Sequence, residues 1–208
     1  MRMAELSRES GLPVATIKFY LREGLLPPGE RTSPNQARYS DEHVRRLRLT
    51  RALIDVGGLS VASARAVLDA MEEGPIAALA TAQDAMVEPI GAEDQWSRER
   101  YEELVQNMGW EVYADSAAAQ HLRDLLVTAR NAAGIDFVAD WSAYAEHADA
   151  VARHDLAWIA GLPDLEGTIS GAVVGTVLGA AYFNALRMLA HQHYSKQRWP
   201  NASLPPAE

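Results

Sequence analysis

Apolar residues near the start of the chain recur at helical spacing, in short segments that end at glycine or proline. In segment 13–23, Val14, Ile17 and Leu21 lie three and four positions apart, so they share an inward face. The outward positions of this segment are small, polar and cationic. Its leading proline suits the first position of a helix, and Gly11 ends the short amphipathic helix before it. The pattern predicts two short helices joined by a tight turn, which is a helix-turn-helix.

The following stretch, residues 25–39, contains too many prolines for a helix. Its Pro-Pro-Gly and Ser-Pro-Asn clusters predict a loop or a tight hairpin, which would form a wing beside the two helices. Arg31 and Arg38 are placed there to meet phosphate oxygens. Such contacts fix the register of a protein on DNA but carry no base information.

Two more helices are predicted after the wing. Ser40 is a suitable N-cap for the first, which carries acidic residues in its first turn and ends near Gly57 and Gly58. Ser60 is a suitable N-cap for the second. The positions expected to be buried on these helices are Val44, Leu47, Ala52, Leu53, Ala64, Val67, Leu68 and Met71.

Beyond residue 72 the chain is predicted to be all-helical, over 76–87, 93–108, 116–133, 135–151, 154–159 and 165–198. The expected fold class is mainly α, with an N-terminal winged helix-turn-helix DNA-binding domain and an all-helical C-terminal effector and dimerisation domain. The expected bounds are 1–72 for the DNA-binding domain, 73–92 for a linker helix, 93–200 for the helical domain and 201–208 for a disordered tail.

Charge is divided unevenly along the chain. Residues 1–70 carry 11 Lys and Arg against 8 Asp and Glu, whereas the rest carries 8 against 20. Ten of the 11 N-terminal cations are arginine, which suits bidentate contact with phosphate or guanine. Double-stranded DNA is therefore expected to meet the N-terminal end. Because a net charge of +3 is modest, we expect two copies of the chain to share a two-fold symmetric site.

The composition argues against several other classes of protein. The chain has no cysteine, which excludes disulfides and thiolate metal sites. His191 and His193 point apart on a helix, and no third ligand accompanies His147 and His154, so no metal or other cofactor is expected. No phosphate-binding glycine loop or nucleophile elbow occurs, so we do not expect an enzyme. With no signal peptide, the expected location is the cytoplasm.

Four spaced motifs stand in order in the first third of the chain. They are Thr16-Ile17-Lys18-Phe19-Tyr20, Glu23-Gly24-Leu25-Leu26-Pro27-Pro28, Arg38-Tyr39-Ser40 with Val44 and Leu47 behind it, and Gly58-Leu59-Ser60. Together they resemble the DNA-binding domain of the MerR family of bacterial transcription regulators. The resemblance implies that Thr16, Lys18 and Tyr20 contact DNA, and the outward-facing Arg22 lies on the same helix. It leaves RNA polymerase open as a further partner.

The wing departs from the family pattern. It usually reads Gly-Tyr-Arg before a final tyrosine, whereas residues 35–37 are Asn-Gln-Ala here. The final tyrosine corresponds to Tyr39, which stays a candidate for contact with DNA. Arg31, Gln36 or Arg38 could supply the phosphate contacts that the usual wing residues make.

The segment after the DNA-binding domain departs as well. Members of the family usually dimerise through one long helix at this point, but Pro89 and Gly91 interrupt it here. The last predicted helix instead carries a glycine at every fourth position from Gly167, and close approach by a neighbouring helix would explain that spacing. We interpret it as a buried helix of the C-terminal core, with Gly171, Gly175 and Gly179 at a dimer interface. A membrane span is the alternative, but polar residues dilute the apolar run, so no membrane partner is expected.

All five tryptophans lie beyond residue 90. With neighbouring aromatic and acidic residues, they could line a pocket for a small organic, cationic effector. The alternative is that these aromatic residues fill a core. The candidate effector-binding residues are Trp141, Tyr144, Trp158 and Tyr182.

The sequence therefore predicts a cytoplasmic, sequence-specific transcription regulator that binds an inverted repeat as a homodimer and responds to a small organic effector. Two alternatives stay open. One is a dimeric repressor that needs no ligand, and the other is a DNA tether whose helical half is a protein-interaction or membrane module.

Overall fold

The computed structural model describes residues 1–33 and 36–199, which form ten α-helices and one two-stranded sheet. The strands are β1 Glu30–Ser33 and β2 Gln36–Arg38. The predicted mainly α fold class is confirmed, and the predicted tail, 201–208, lies outside the described residues. The helices are α1 Met3–Ser10, α2 Val14–Arg22, α3 Asp41–Arg51, α4 Val61–Ala70, α5 Pro75–Ala85, α6 Gln95–Met108, α7 Ala117–Ala133, α8 Phe137–Asp140, α9 Ser142–Ala160 and α10 Leu165–Arg198.

The N-terminal elements form the predicted helix-turn-helix and wing. The Ser7 hydroxyl donates to the Leu12 carbonyl at 2.6 Å and closes the turn between α1 and α2. Strands β1 and β2 pair antiparallel, with Arg31 opposite Ala37. Residues 34 and 35, which belong to the predicted hairpin turn, lie outside the described residues.

Helix α3 continues as one π-helical turn, Ala52–Val56. The buried positions of the combined segment are Val44, Leu47, Thr50 and Leu53, whereas Ala52 is only half-buried. The sequence pattern missed Thr50 because threonine is polar. Its hydroxyl donates to the Arg46 carbonyl at 2.7 Å, which satisfies the group inside the core.

The first part of α10 completes the core of the N-terminal helices. Val173 and Val177 are fully buried in the same apolar cluster as Leu53. A Cβ at Gly57 would overlap Cγ1 of Val177, so glycine is what lets α10 approach the end of the π-helical turn. This contact joins α10 to the π-helical turn that follows α3.

Helix α5 lies in the same core. Its Ala78 and Ala82 are fully buried, and the helix packs against both α4 and α10. Packing is therefore continuous across the boundary expected between residues 72 and 73. The domain bounds remain a prediction.

The second part of α10 differs from the expectation. Every residue from 182 to 199 is exposed, so the interpretation of α10 as a helix buried along its length is wrong for this part. The buried residues of α10 lie between 171 and 177, where α5, the π-helical turn and α9 pack against the helix. Among the described residues, α10 is also the one helix long and apolar enough to cross a membrane, with a mean hydropathy of 1.5 in a window that is 22% buried.

Helix boundaries between residues 135 and 160 also differ from the prediction. A short α8 begins after Asp136, whose carboxylate accepts from the backbone N–H of Val138 at 3.0 Å. Trp141 then has φ −127° and ψ 34°, which separates α8 from α9. No glycine or proline interrupts α9, so it runs on to Ala160 as one helix instead of ending near residue 151.

The loop between α5 and α6 is held by one buried carboxylate. The Asp124 side chain on α7 accepts four backbone N–H bonds, from residues 90–93, at 2.7 to 3.0 Å. Burial alone would raise the pKa of Asp124, but the hydrogen bonds from Gly91 and its neighbours outweigh it, so the pKa lies below its ordinary value. The broken linker is thus a fixed turn in which every N–H of residues 90–93 has a partner.

Replacing Asp124 by Asn should lower the free energy of unfolding by about 1–3 kcal/mol, because an amide offers one acceptor oxygen to four donors. The difference from wild type should be full at neutral pH and shrink below about pH 4, since a carboxylate with a depressed pKa loses its contribution as it protonates. Urea unfolding at several pH values measures it. Asp115→Asn, at an exposed position, is the control, and equal effects of the two changes would contradict the role of Asp124.

Candidate nucleic-acid interface

The outer face of α2 is the surface expected to enter the major groove. Lys18 and Arg22 are exposed on it, and Thr16 is half-buried. Arg22 lies against Phe19, with its guanidinium carbon 5.2 Å from the ring centroid, and its Nε lies 3.1 Å from Oε1 of Glu23. A helix of this width with small and cationic outward residues fits a major groove.

Tyr20 does not lie on this outer face. It is 6% exposed because its ring packs in the core, and the contact with DNA that the family motif implies remains a prediction. The reason for this burial is helical spacing, since Tyr20 follows the fully buried Ile17 by three positions and shares its face. Burial, and then the carboxylate of Asp55, raise the pKa of Tyr20. Phe19, the neighbouring aromatic residue, is half-buried and packs against the same core.

A groove of about 500 Å³ separates α2 from the wing. Three of its lining residues are cations, Arg2, Lys18 and Arg31, and none of the lining residues is acidic. Gln36 contributes a side-chain amide that can donate or accept a hydrogen bond. The structure therefore brings together four of the predicted DNA-binding residues, Lys18, Arg31, Gln36 and Tyr39. The residues that line the groove are Arg2, Met3, Val14, Lys18, Arg31, Ser33, Gln36, Ala37 and Tyr39.

Arg2 is a groove residue that the sequence pattern did not reveal. It lies before α1, far along the chain from the wing. The chain start reaches the groove because the Met1 amine donates to the Tyr39 carbonyl at 2.7 Å and the Tyr39 N–H donates to the Met1 carbonyl at 2.8 Å. No local sequence signal marks such a pairing.

Tyr39 supports the wing from inside. It is 8% exposed, and a Cβ at Gly29 would come within 2.8 Å of its ring, so the strand entering the wing packs directly on it. Burial raises the pKa of Tyr39. Tyr39 therefore has a structural role and also lines the groove, and its contact with DNA remains a prediction.

The remaining arginines divide into exposed and structural groups. Arg38 is exposed and stands opposite Glu30 across the hairpin, outside the groove lining. Arg46 donates to the Leu25 carbonyl at 2.9 Å and Arg48 donates to the Glu9 carbonyl at 2.9 Å, so both hold the domain together. Part of the N-terminal positive charge therefore serves the fold.

A second groove, of about 610 Å³, lies between α1 and the start of α3. Its lining includes three arginines and three acidic residues, so the charges of its side chains cancel and attract a phosphate backbone less. This contrast favours the groove beside α2 as the DNA-facing surface.

The predicted effector residues lie apart on the C-terminal helices. Trp141 and Tyr144 stack with centroids 5.0 Å apart, and Trp141 also lies 4.4 Å from Phe137. Trp158 packs elsewhere, against Gly171 and Gly175 of α10. Tyr182 is 68% exposed. The structure thus brings two of the four together.

The predicted glycine interface is occupied in part by the chain itself. Side chains of α9 and the following turn, Trp158 and Leu162, would overlap or touch a Cβ at Gly171, and Trp158 lies 3.7 Å from a Cβ at Gly175. This is the close helix approach that the spacing predicted. Gly179 has open space around it. The assignment of these glycines to a dimer interface remains a prediction.

The fold and the cationic groove define a winged helix-turn-helix DNA-binding protein. Residues 1–71 match the family described as MerR HTH family regulatory protein. The chain is 43% identical over 47 residues to the HTH-type transcriptional regulator ZntR homolog of Haemophilus influenzae, a match that covers 23% of this chain and 35% of that protein. The chain therefore spans about a third of the length of that curated relative.

A solved structure extends the likeness to the whole chain. The crystal structure of the putative transcriptional regulator SCO5550 from Streptomyces coelicolor A3(2) has a TM-score of 0.69 and 31% identity, over 99% of this chain and 100% of that one. The chain belongs to the MerR family of transcription regulators, and its first 71 residues form the DNA-binding domain of that family.

Replacing Lys18 or Arg31 by Ala should weaken binding to DNA about tenfold, and by a similar factor on many sequences if the side chain binds phosphate. The slope of log affinity against log salt should fall by about 1 in magnitude for each of these cations that is removed. Fluorescence anisotropy with duplex DNA at several salt concentrations measures both. Arg8→Ala, in the mixed-charge groove, is the matched control, and an equally large effect there would point to a general charge effect.

Proposed function

We propose that this protein regulates transcription in the cytoplasm by binding, as a homodimer, to an inverted repeat in promoter DNA. The observation that carries the proposal is the groove in which Arg2, Lys18 and Arg31 converge beside α2 without an acidic neighbour in the lining. In this arrangement α2 enters the major groove while the wing and the chain start contact the flanking phosphates.

The charge balance supports two copies of the chain. One N-terminal domain offers a small excess of positive charge, and two of its arginines, Arg46 and Arg48, form structural hydrogen bonds. Two domains related by a two-fold axis double the phosphate contacts and read two half-sites one helical turn apart or a multiple of it. RNA polymerase is a further candidate partner, since a regulator at a promoter acts on transcription there.

DNase footprinting on the DNA upstream of the gene for this protein should show protection of a two-fold symmetric sequence. Two half-sites are expected because each recognition helix reads one major groove. Scrambling one half-site should reduce affinity by at least about 100-fold at physiological salt. Protection of a single asymmetric stretch, or no protection at low salt, would contradict the proposal.

We further propose that a small planar organic cation modulates this binding at the stack of Phe137, Trp141 and Tyr144. Trp141 is 39% exposed, so a ligand ring can reach the stack. Acidic residues Asp140 and Glu146 flank the stack in sequence, and π faces near carboxylates attract cations. The alternative of a ligand-independent repressor predicts no such binding.

Titration with a panel of planar aromatic cations should quench tryptophan fluorescence with a saturable curve. Trp141→Phe should remove most of the quenching, because Trp141 is central to the stack. Trp199→Phe, at an exposed position at the far end of α10, is the control and should leave the curve unchanged. If no member of the panel quenches the wild-type protein, the effector proposal fails and the ligand-independent repressor is favoured.

A further inference from the structure

The second half of α10 is a helix with an apolar face that no other described element covers. From residue 182 to 199 every position is exposed, and Tyr182, Leu189 and Tyr194 are 68%, 59% and 65% exposed. So much exposed apolar surface on one helix marks an interaction site in a soluble protein. We name the face by its central residues, Tyr182, Leu186, Leu189 and His193, and refer to it as the distal stripe.

The distal stripe has the spacing of a helix-packing seam. Its residues are separated by four, three and four positions, which is a heptad pattern. Phe183 and Tyr194 flank it on one side. The opposite side of the same segment is polar, with Asn184, His191 and Ser195. The segment is therefore amphipathic and presents its apolar side to solvent.

The distal stripe continues a face that is already used for packing. Going back from Tyr182 in the same heptad spacing leads to Gly179 and then Gly175, and at Gly175 the chain's own α9 packs on α10. The two helices run antiparallel, since Trp158 of α9 meets Gly175 while Tyr144 lies 5.9 Å from the guanidinium of Arg187. On this face of α10, α9 therefore packs on the small residues, whereas the large residues further along the helix are exposed.

The helix through which members of the family usually dimerise is short in this chain and already packs within it. Helix α5, which stands directly after the DNA-binding domain, spans only Pro75–Ala85. Its Ala78 and Ala82 are already buried between α4 and α10. The turn held by Asp124 then directs the chain away from a long continuous helix. A homodimer must use another surface.

The charges around the distal stripe are complementary to charges on the same hairpin. The exposed half of α10 carries Arg187, Lys196 and Arg198 and no acidic residue. Helix α9 carries Glu146, Asp149 and Asp155 against one arginine, and neither Glu146 nor Asp155 forms an ion pair with a described residue. Lys196 continues the heptad spacing three positions after His193, so in a two-fold pair of α9–α10 hairpins this cation of each copy meets the acidic α9 of the other. Arg187 and Arg198 lie on the opposite side of the helix. Opposite charges across such a face favour self-association and fix its register.

We propose that the distal stripe is the dimer interface, and that its occupant is the α9–α10 hairpin of a second copy of this chain. Large apolar residues of the two stripes pack together across the two-fold axis, and the basic and acidic helices align at the rim. The proposal rests on the homodimer of the proposed function and specifies the surface that forms it.

The absence of cysteine from the sequence makes the interface directly measurable. Single cysteines are introduced on the distal stripe, as Leu186→Cys, Leu189→Cys and His193→Cys, and on the opposite side, as Asn184→Cys, His191→Cys and Ser195→Cys. Oxidation with copper phenanthroline should cross-link at least one stripe variant into a dimer with a yield several times that of every opposite-side variant. A higher yield on the polar side would overturn the proposal.

A second measurement weakens the interface. Leu186→Glu with Leu189→Glu should raise the dimer dissociation constant by at least about 100-fold by light scattering, because two carboxylates would be buried against an apolar face. His191→Glu is the matched control and should remain dimeric. The double variant should keep its helical circular dichroism and bind a single half-site as well as wild type does. If the double variant is as dimeric as wild type, the proposal is overturned.

The outcomes separate this proposal from the proposed function. A dimer that depends on the distal stripe but does not bind DNA would support the interface and overturn the proposed function. A double variant that stays dimeric and still protects the inverted repeat would support the proposed function and overturn the interface. A wild-type chain that is monomeric at tens of micromolar would overturn the interface. Sedimentation with phosphatidylcholine and phosphatidylglycerol vesicles through α10 would overturn it in favour of a membrane-facing helix.

Discussion

The packing of two valines near the end of the chain against the DNA-binding domain is the contact on which the rest of the structure depends. Val173 and Val177 fill the core beside Leu53, and Gly57 leaves the space that α10 needs. Because α5 packs against both α4 and α10, removing α10 would expose apolar surface on α5 and around Leu53. The DNA-binding helices and the last helix therefore share one core and should gain or lose stability together.

Because the core is shared, packed side chains connect the N-terminal domain directly to α10. The pairing of Met1 with Tyr39 holds the chain start beside the proposed DNA-facing groove, and α10 packs against the π-helical turn of the same domain. The proposed dimer interface lies on the same α10, beyond its buried part. A second copy bound there would therefore set the spacing of the two recognition helices through a continuous helix, without a flexible linker.

Much of the fold follows from the sequence because helical periodicity and caps are local properties. The four N-terminal helices, the wing and the bounds of α7 and α10 agree with the pattern of apolar residues and glycines. The pattern fails where tertiary contacts decide. Val173 packs on the N-terminal domain, although no residue near it in the sequence indicates that partner. Asp124 is buried because four distant N–H groups bind it.

Within the site, Lys18, Arg31 and Gln36 were predictable as exposed polar residues. The burial of Tyr20 was not expected from the family motif, although its position three residues after Ile17 indicates it. Arg2 was missed because the chain start reaches the wing only in three dimensions.

Amide hydrogen exchange on the variant Val173→Ala with Val177→Ala tests the shared core most directly. Each change should cost about 2 kcal/mol through reduced apolar burial and a residual cavity. If the core is shared, protection should fall by a similar factor in α2, α3, α4, α5 and α10, and binding to DNA should weaken as the N-terminal domain opens. If protection falls in α10 alone while α2 to α4 keep their wild-type exchange rates, the N-terminal domain is independent of α10 and the account is contradicted.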